Sequence, residues 1–294
     1  MLLGTVRLPD GIVAVAQQTG QQRVRLSSLG HESVRALIEA GPEAWQRVSD
    51  DLAHGRGAAL EETPIATLPP LPDPPRNIFC VGLNYKSHFD ESRRPPEVPV
   101  PANPVFFTKP FTTLVGHDGS IEVDSSITTK VDWEAEVAVV LGLGGKNIPE
   151  ERAAEHVFGY ALANDVSARD LQLDEAAARQ WFKGKSLDTF CPMGPMITTA
   201  GDAVLTGSLS VDLRVDGELK QSFSTGDMIH SVARIVSSLS RGMRLLPGDI
   251  ILTGTSAGVG HHRRPPEFLV PGTSVEIVSP QLGRLANRVV KASQ

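Results

Sequence analysis

Lys130-Val131-Asp132-Trp133-Glu134-Ala135-Glu136-Val137-Ala138-Val139-Val140-Leu141-Gly142 is the stretch whose reading decides the fold. Its second half is apolar and rich in β-branched residues, and it stops at a glycine, as a strand does that enters a core and ends in a turn. Side chains alternate faces along a strand, so Glu134 and Glu136 point the same way, and Asp132 shares their face. Farther on, Tyr160-Ala161-Leu162-Ala163-Asn164-Asp165-Val166 is a second short apolar run that closes on an acid. Two carboxylates on one strand and a third at the end of another can close around a hard divalent cation. Oxygen ligands suit Mg²⁺, Mn²⁺ or Ca²⁺ and leave positions for water and substrate. Alternating acids also mark the solvent face of an ordinary strand, and the spacing alone leaves both readings open.

The chain has 294 residues and a net charge of −6. That length allows one large domain or two smaller ones. The charge provides no basic patch for nucleic acid and no polybasic anchor for a membrane. No apolar run approaches the roughly 20 residues that span a bilayer. The start, Met1 to Arg7, lacks the basic-then-apolar layout of a signal peptide. Cys80 and Cys191 stand alone, without a CxxC or a Cys/His cluster, which argues against zinc and against a disulfide framework. Two small buried thiols in a reducing compartment fit better. These features predict a soluble, cytoplasmic protein with neither a nucleic-acid nor a membrane partner.

Outward from the acidic strand, residues 1 to about 27 read as a small antiparallel meander, followed by helices over Glu32 to Ala40 and Pro42 to His54. The proline-dense stretch Thr63 to Pro75 predicts a semi-rigid linker and a domain boundary. Beyond it, Asn77 to Gly82 and Val105 to Thr108 are buried-type strands on either side of a long polar connection that includes the proline-rich Arg93 to Pro104. Pro149 to Val157 and Ala168 to Trp181 have helical character. Asp216-Gly217 joins Leu209 to Val215 and Glu218 to Ser222 as a hairpin. Asp227 to Leu239 reads as an amphipathic helix. Asp249 to Leu252, Thr273 to Val278 and Arg284 to Val290 complete a β-rich second half.

Several residues are candidates for chemistry. His88 and Glu91 lie three apart and would share a face of one helical turn. A carboxylate that fixes the tautomer of a histidine makes it a general base, although a solvated pair in a loop has the same spacing. Lys183-Gly184-Lys185-Ser186 lacks the upstream glycine and the strand–loop–helix order of a phosphate loop. A single lysine there could instead stabilise an oxyanion. The glycine-dense Thr253-Gly254-Thr255-Ser256-Ala257-Gly258-Val259-Gly260 could cradle a carboxylate with its N–H groups or be a tight β connection. His261 and His262, beside Arg263-Arg264, read as an exposed basic turn.

Gly82-Leu83-Asn84-Tyr85 with His88 and Glu91, Asp132 to Glu136, and Asn164 to Asp170 with Gln172 together resemble the fumarylacetoacetate hydrolase superfamily. Gly184 to Phe190, Gly194-Pro195, Asp227-Met228-Ile229 and Thr253-Gly254-Thr255 continue the resemblance, which spans roughly residues 76 to 290. It implies an α+β, mainly β chain: a mixed β-sandwich roll over residues 71–294, usually a homodimer, with a small α+β N-terminal domain over residues 1–70. It further implies that Glu134, Glu136 and Asp165 hold Mg²⁺ or Mn²⁺, with Ca²⁺ as an alternative. His88 and Glu91 match a catalytic dyad on a lid, Lys185 a catalytic lysine, and Arg169, Gln172 and Thr255 contacts to a small oxo-acid substrate. Trp133 and Ser256 depart from commoner Tyr and Pro. The implied reaction is hydrolytic C–C cleavage of an acylpyruvate, with His88 activating water. Isomerisation, decarboxylation or hydration of a related acid in aromatic or sugar-acid catabolism are alternatives, and a non-catalytic oxo-acid binder is a further one.

Overall fold

The computed structural model describes residues 1–18, 20–92, 99–200 and 208–292. Its first part contains β1 (Leu2–Leu8), β2 (Gly11–Gln17), β3 (Val24–Arg25), α1 (Val34–Ala40), α2 (Pro42–Ala53) and β4 (Ala66–Leu68). Next come β5 (Ile78–Gly82), α3 (Lys86–Glu91), β6 (Val105–Lys109), β7 (Leu114–Val115), β8 (Ser120–Val123), β9 (Val131–Asp132) and β10 (Ala135–Leu141). β11 (Val157–Asn164), β12 (Ser167–Ala168), α4 (Arg169–Leu173), α5 (Trp181–Gly184) and β13 (Cys191–Thr199) follow. The chain closes with β14 (Ser210–Val215), β15 (Glu218–Ser224), α6 (Val232–Ser240), β16 (Ile250–Leu252), β17 (Ser274–Ser279) and β18 (Gly283–Lys291). This is the expected mainly β, α+β class.

Two sheets form the body. The larger runs β3-β2-β1-β13-β11-β10-β16-β5-β6, with β4 on β1 and β7 on β13; the smaller runs β15-β14-β17-β18-β8. β10 lies inside the larger sheet, between antiparallel β11 and β16, and all seven of its residues are buried. Its alternation divides two cores. Val137, Val139 and Leu141 pack with Val211, Leu213 and Ile277 of the smaller sheet, while Ala138 and Val140 join Leu37, Ile38 and Val48 of α1 and α2. A strand covered on both faces reads as a continuous apolar run, and Val137 to Leu141 is one.

The first seventy residues are stitched into this frame. β1 pairs with β13 through Leu2↔Thr198 and Leu3↔Ile197, and β4, from within the proline-dense stretch, pairs with β1. Trp45 of α2 packs edge-on against Phe158 of β11, with ring centroids 5.0 Å apart, and its Nε1 donates to the Leu37 carbonyl. That ring explains Gly142 at the end of the opening stretch: a Cβ there would lie 2.3 Å from the Trp45 ring. Because Trp45 is pinned by its hydrogen bond, Gly142→Ala should cost about 1–3 kcal/mol of stability as an overpacking change. A urea midpoint equal to that of the parent would contradict the steric argument.

Helix boundaries differ from expectation where tertiary hydrogen bonds compete. α6 starts at Val232, capped by Ser231 Oγ accepting from the Arg234 N–H, not at Asp227. The preceding Ile229 and His230 N–H groups donate instead to the backbone and side-chain oxygens of Asn84. The helical stretch expected over Ala168 to Trp181 is broken, because Asp174 is extended and Ala178 and Arg179 take φ of 56° and 51°. Pro149 to Val157 forms a 3-10 helix over Glu150–His156. The hairpin at Asp216-Gly217 forms as expected, both residues having positive φ. The first half of the proline-rich stretch Arg93 to Pro104, residues 93–98, lies outside the described residues.

Strand directions decide where the chemistry gathers. β5 runs parallel to β16 and both run opposite to β10, so the segments after Gly82 and Leu252 leave the sheet at the edge where β10 begins. β11, antiparallel to β10 with Ala135↔Asn164 in register, ends at that same edge. The sheet also rolls: Lys109 of β6 reaches Asp165 although β10, β16 and β5 separate β6 from β11.

Candidate active site

The register of β10 and β11 sets three acids together. The Glu134 N–H donates to Asn164 Oδ1 at 3.0 Å, and the Asp165 N–H donates to the Glu134 carbonyl at 2.9 Å. Glu134, Glu136 and Asp165 each offer a carboxylate oxygen, and these oxygens lie within 4.8 Å of one another. With exposures of 5 %, 1 % and 0 %, they belong to the interior and not to a solvent face.

Buried cations surround them unevenly. Lys185 Nζ lies 2.7 Å from both Glu134 Oε2 and Asp165 Oδ2, and Lys109 Nζ lies 2.6 Å from Asp165 Oδ1. Arg169 donates from Nε to Asp132 Oδ2 at 2.8 Å, and its Nη2 makes a short but off-axis ion pair with Glu134 Oε1. Burial alone would raise the pKa of Glu134, but Lys185 and Arg169 outweigh it and hold the carboxyl below its ordinary value. Lys185 stays cationic for the same reason: burial opposes its charge, and Asp165 and Glu134 more than compensate. Glu136 is different. It has no ion pair among the described residues; burial first, then Asp165 and Glu134, push its pKa well above the carboxylate range.

Four buried carboxylates (Asp132, Glu134, Glu136, Asp165) therefore face three buried cations (Lys109, Arg169, Lys185), leaving one negative charge in excess. An uncompensated charge in the interior is costly unless it is neutralised. An all-oxygen donor set with surplus negative charge suits a hard divalent cation, so these residues fit the metal expected there.

The turn from Thr253 to His262 carries a carboxylate cradle, but for the protein's own acids. The Gly254 N–H donates to Glu136 Oε2 at 2.7 Å, and the Gly258 N–H to Glu91 Oε2 at 2.9 Å. The N–H groups of Gly260 and His261 donate to the two oxygens of Asp132 at 2.7 and 2.9 Å. Asp132, although in phase with Glu134 and Glu136, is thus taken up by amides and Arg169 and does not join the triad. Gly258 has φ +105°, and a Cβ on it would lie 2.2 Å from the Lys220 carbonyl, so only glycine fits.

One turn of α3 brings His88 Nδ1 to 2.8 Å from Glu91 Oε1. An ionised carboxylate only accepts, so Nδ1 carries the proton and Nε2 keeps its lone pair when the ring is neutral. His88, Glu134, Glu136, Arg169, Gln172, Lys185 and Thr255 all line one cavity of about 260 Å³. Asp165 and Glu91 bond to lining residues without lining it themselves. Gln172 Oε1 accepts from Arg169 Nη1 at 2.8 Å. The Thr255 hydroxyl donates to the Ala135 carbonyl and accepts from Gln221 Nε2, so its one proton is already taken.

This shared cavity is the setting in which family membership can be judged. The family model "Fumarylacetoacetate (FAA) hydrolase C-terminal" matches residues 77–290. The chain belongs to the fumarylacetoacetate hydrolase family. Within that family, oxaloacetate tautomerase YisK of Bacillus subtilis (strain 168) is 43 % identical over 220 residues, 75 % of this chain and 71 % of that protein. The mitochondrial oxaloacetate tautomerase fahd2 of Xenopus laevis is 39 % identical over 257 residues, 87 % of this chain and 78 % of that protein. Among solved structures, the fumarylacetoacetate hydrolase of psychrophilic Exiguobacterium antarcticum matches with a TM-score of 0.83 at 36 % identity, covering 99 % of this chain and 100 % of that one. Among the described residues, no helix of this family member is long and apolar enough to cross a membrane.

Two side chains of the site were not picked out from the sequence as chemical groups. Lys109 is wholly buried against Asp165; its one signal is a lysine closing an apolar strand just before a proline. His262, expected on an exposed basic turn, lines the cavity with its ring 5.8 Å from that of His88. Burial is the main cause that lowers its pKa to about 4.

Proposed function

We propose that the protein is a divalent-metal-dependent enzyme that interconverts the enol and keto forms of oxaloacetate or a closely similar 2-oxo dicarboxylic acid. One observation carries the reading: Glu134 and Glu136 of a buried acid triad line a single small cavity together with an oriented histidine base. Its volume of about 260 Å³ falls below the ~300–1,000 Å³ of drug-sized ligand sites and suits a substrate of a few carbons. The curated relatives described above are named oxaloacetate tautomerases, which supports the same substrate class.

Glu134, Glu136 and Asp165 would hold the cation, which when bound supplies Lewis-acid polarisation of the 2-oxo carbonyl. Ketonisation removes a proton from the enol oxygen and delivers one to C3, leaving the composition of the substrate unchanged. His88 Nε2 takes up the proton lost from the enol oxygen and delivers it to C3, while Glu91 fixes the ring and stabilises it when protonated. Lys185 and Arg169 hold the carboxyl of Glu134 below its ordinary pKa and supply positive potential where enolate charge develops. Gln172 Nε2, whose companion oxygen is held by Arg169, is free to donate to the substrate's 1-carboxylate.

Hydrolysis of an acylpyruvate is the second reading, favoured by the dyad itself, since a histidine oriented by a carboxylate can also activate water. The test is a decay assay on enol-oxaloacetate beside pyruvate release from a panel of 2,4-dioxo acids, each with Mg²⁺ or Mn²⁺ and then with chelator. The expected result is accelerated enol decay that chelator abolishes and added metal restores. Pyruvate released from a 2,4-dioxo acid, with enol decay no faster than in buffer, would replace tautomerisation with hydrolysis.

A further inference from the structure

Most polar groups lining the cavity are already committed. Arg169 and Lys185, its two cations, are held by Asp132, Glu134 and Asp165. Ser92 donates its hydroxyl to the Phe89 carbonyl and Thr255 donates its own to Ala135. The imidazole of His262 makes no hydrogen bond among the described residues, yet it lines the cavity beside the proposed base. A polar ring half-withdrawn from water and left without a partner is a donor waiting for a ligand.

Its position narrows what that ligand is. The base acts at C3, and in a 2-oxo dicarboxylate of four carbons the terminal carboxylate is bonded to C3. A group that touches this carboxylate must therefore be a near neighbour of the base, and the rings of His88 and His262 have centroids 5.8 Å apart. Gln172 is assigned to the other end of the substrate, its carbonyl held by Arg169 beside the acid triad. We propose that His262 is a specificity-determining residue that donates a hydrogen bond to the carboxylate adjacent to the reacting carbon, selecting diacids over 2-oxo acids with an uncharged tail. Resting on the tautomerase reading, this names the feature of the substrate that the site recognises. Burial is the main cause that lowers the pKa of the ring to about 4, so in the ligand-free protein the imidazole is neutral and has one N–H to donate.

The test compares two ligands of one skeleton, malate and 2-hydroxybutyrate, which differ only in a carboxylate against a methyl at C4. Their dissociation constants are measured by calorimetry on the Mg²⁺-loaded protein, for the parent, His262→Ala and His262→Gln. The parent should prefer malate, and His262→Ala should lower that preference about tenfold or more, the worth of one hydrogen bond to a charged group. His262→Gln keeps a donor and should restore much of the preference. In parallel, His262→Ala should raise KM for enol-oxaloacetate by more than it lowers kcat. A parent without preference for malate, or an alanine variant with the parent's preference, would overturn the assignment. Weakening of both ligands equally in both variants would also overturn it, since that is the mark of a purely structural role. A clear malate preference lost in His262→Ala, in a protein that leaves enol-oxaloacetate unchanged, would sink the tautomerase reading while keeping His262 as the diacid-recognising residue.

Discussion

Replacing His88 by alanine should lower the rate of enol-oxaloacetate decay by roughly 10²–10⁴, the usual worth of a positioned general base. The magnitude follows from the geometry: Glu91 holds Nδ1 and leaves Nε2 as the basic atom beside the acid triad. His88 is not among the three acids, so divalent-cation affinity should stay close to that of the parent. A variant with the parent's rate would remove His88 from the proton transfer. Loss of cation binding together with rate would instead make the ring a structural support of the triad. Glu91→Gln is the companion variant. It keeps one acceptor oxygen for the two N–H groups of His88 and Gly258 that Glu91 serves and removes the charge that stabilises the imidazolium, so a smaller but clear loss is expected.

Glu136→Gln should have the second large effect, with opposite signs in two states. In the metal-free protein it removes the one acid of the triad that has no ion pair among the described residues and is crowded by Asp165 and Glu134. Relieving that repulsion should raise the thermal midpoint, or at least not lower it, because the Gly254 N–H keeps a side-chain oxygen to donate to. With Mg²⁺ or Mn²⁺ present the order reverses. The parent gains stability by binding, whereas the variant loses a charged ligand and should bind at least about 100-fold more weakly. A cation-induced rise in the midpoint as large in the variant as in the parent would refute Glu136 as a ligand.

What the sequence made legible was the chemistry of side chains close together along the chain. Glu134 and Glu136 at alternate positions, Asp165 ending the next apolar strand, and His88 three before Glu91 all lie where their spacing suggested. Alternation with a period of two cannot distinguish a strand's wet face from an inward one, because both give the same pattern. Only the neighbours β11 and β16 decide it, and they are distant in sequence. Lys109 was hidden for a related reason: the roll of the sheet, not its position in the chain, brings it to Asp165. Asp132 shares the phase of Glu134 and Glu136, and the spacing alone left its role open; backbone amides and Arg169 claim its oxygens, and main-chain directions leave little trace in residue identity. The start of α6 was misplaced because Asn84, far upstream, takes the N–H groups of Ile229 and His230.

The turn from Thr253 to His262 grips Glu136, Glu91 and Asp132 through peptide N–H groups alone. Every residue except proline brings that N–H, so the grip sets no demand on most of the side chains that the turn displays. The scaffold and the displayed groups can therefore change separately. Exchanging His262 for other side chains is a route to new substrate preferences that leaves the anchoring of base and acids in place. Gly254, Gly258 and Gly260 set the limit of that freedom: a Cβ on them would lie 2.9 Å from the Asn84 Cβ, 2.2 Å from the Lys220 carbonyl and 2.1 Å from the Glu267 carbonyl.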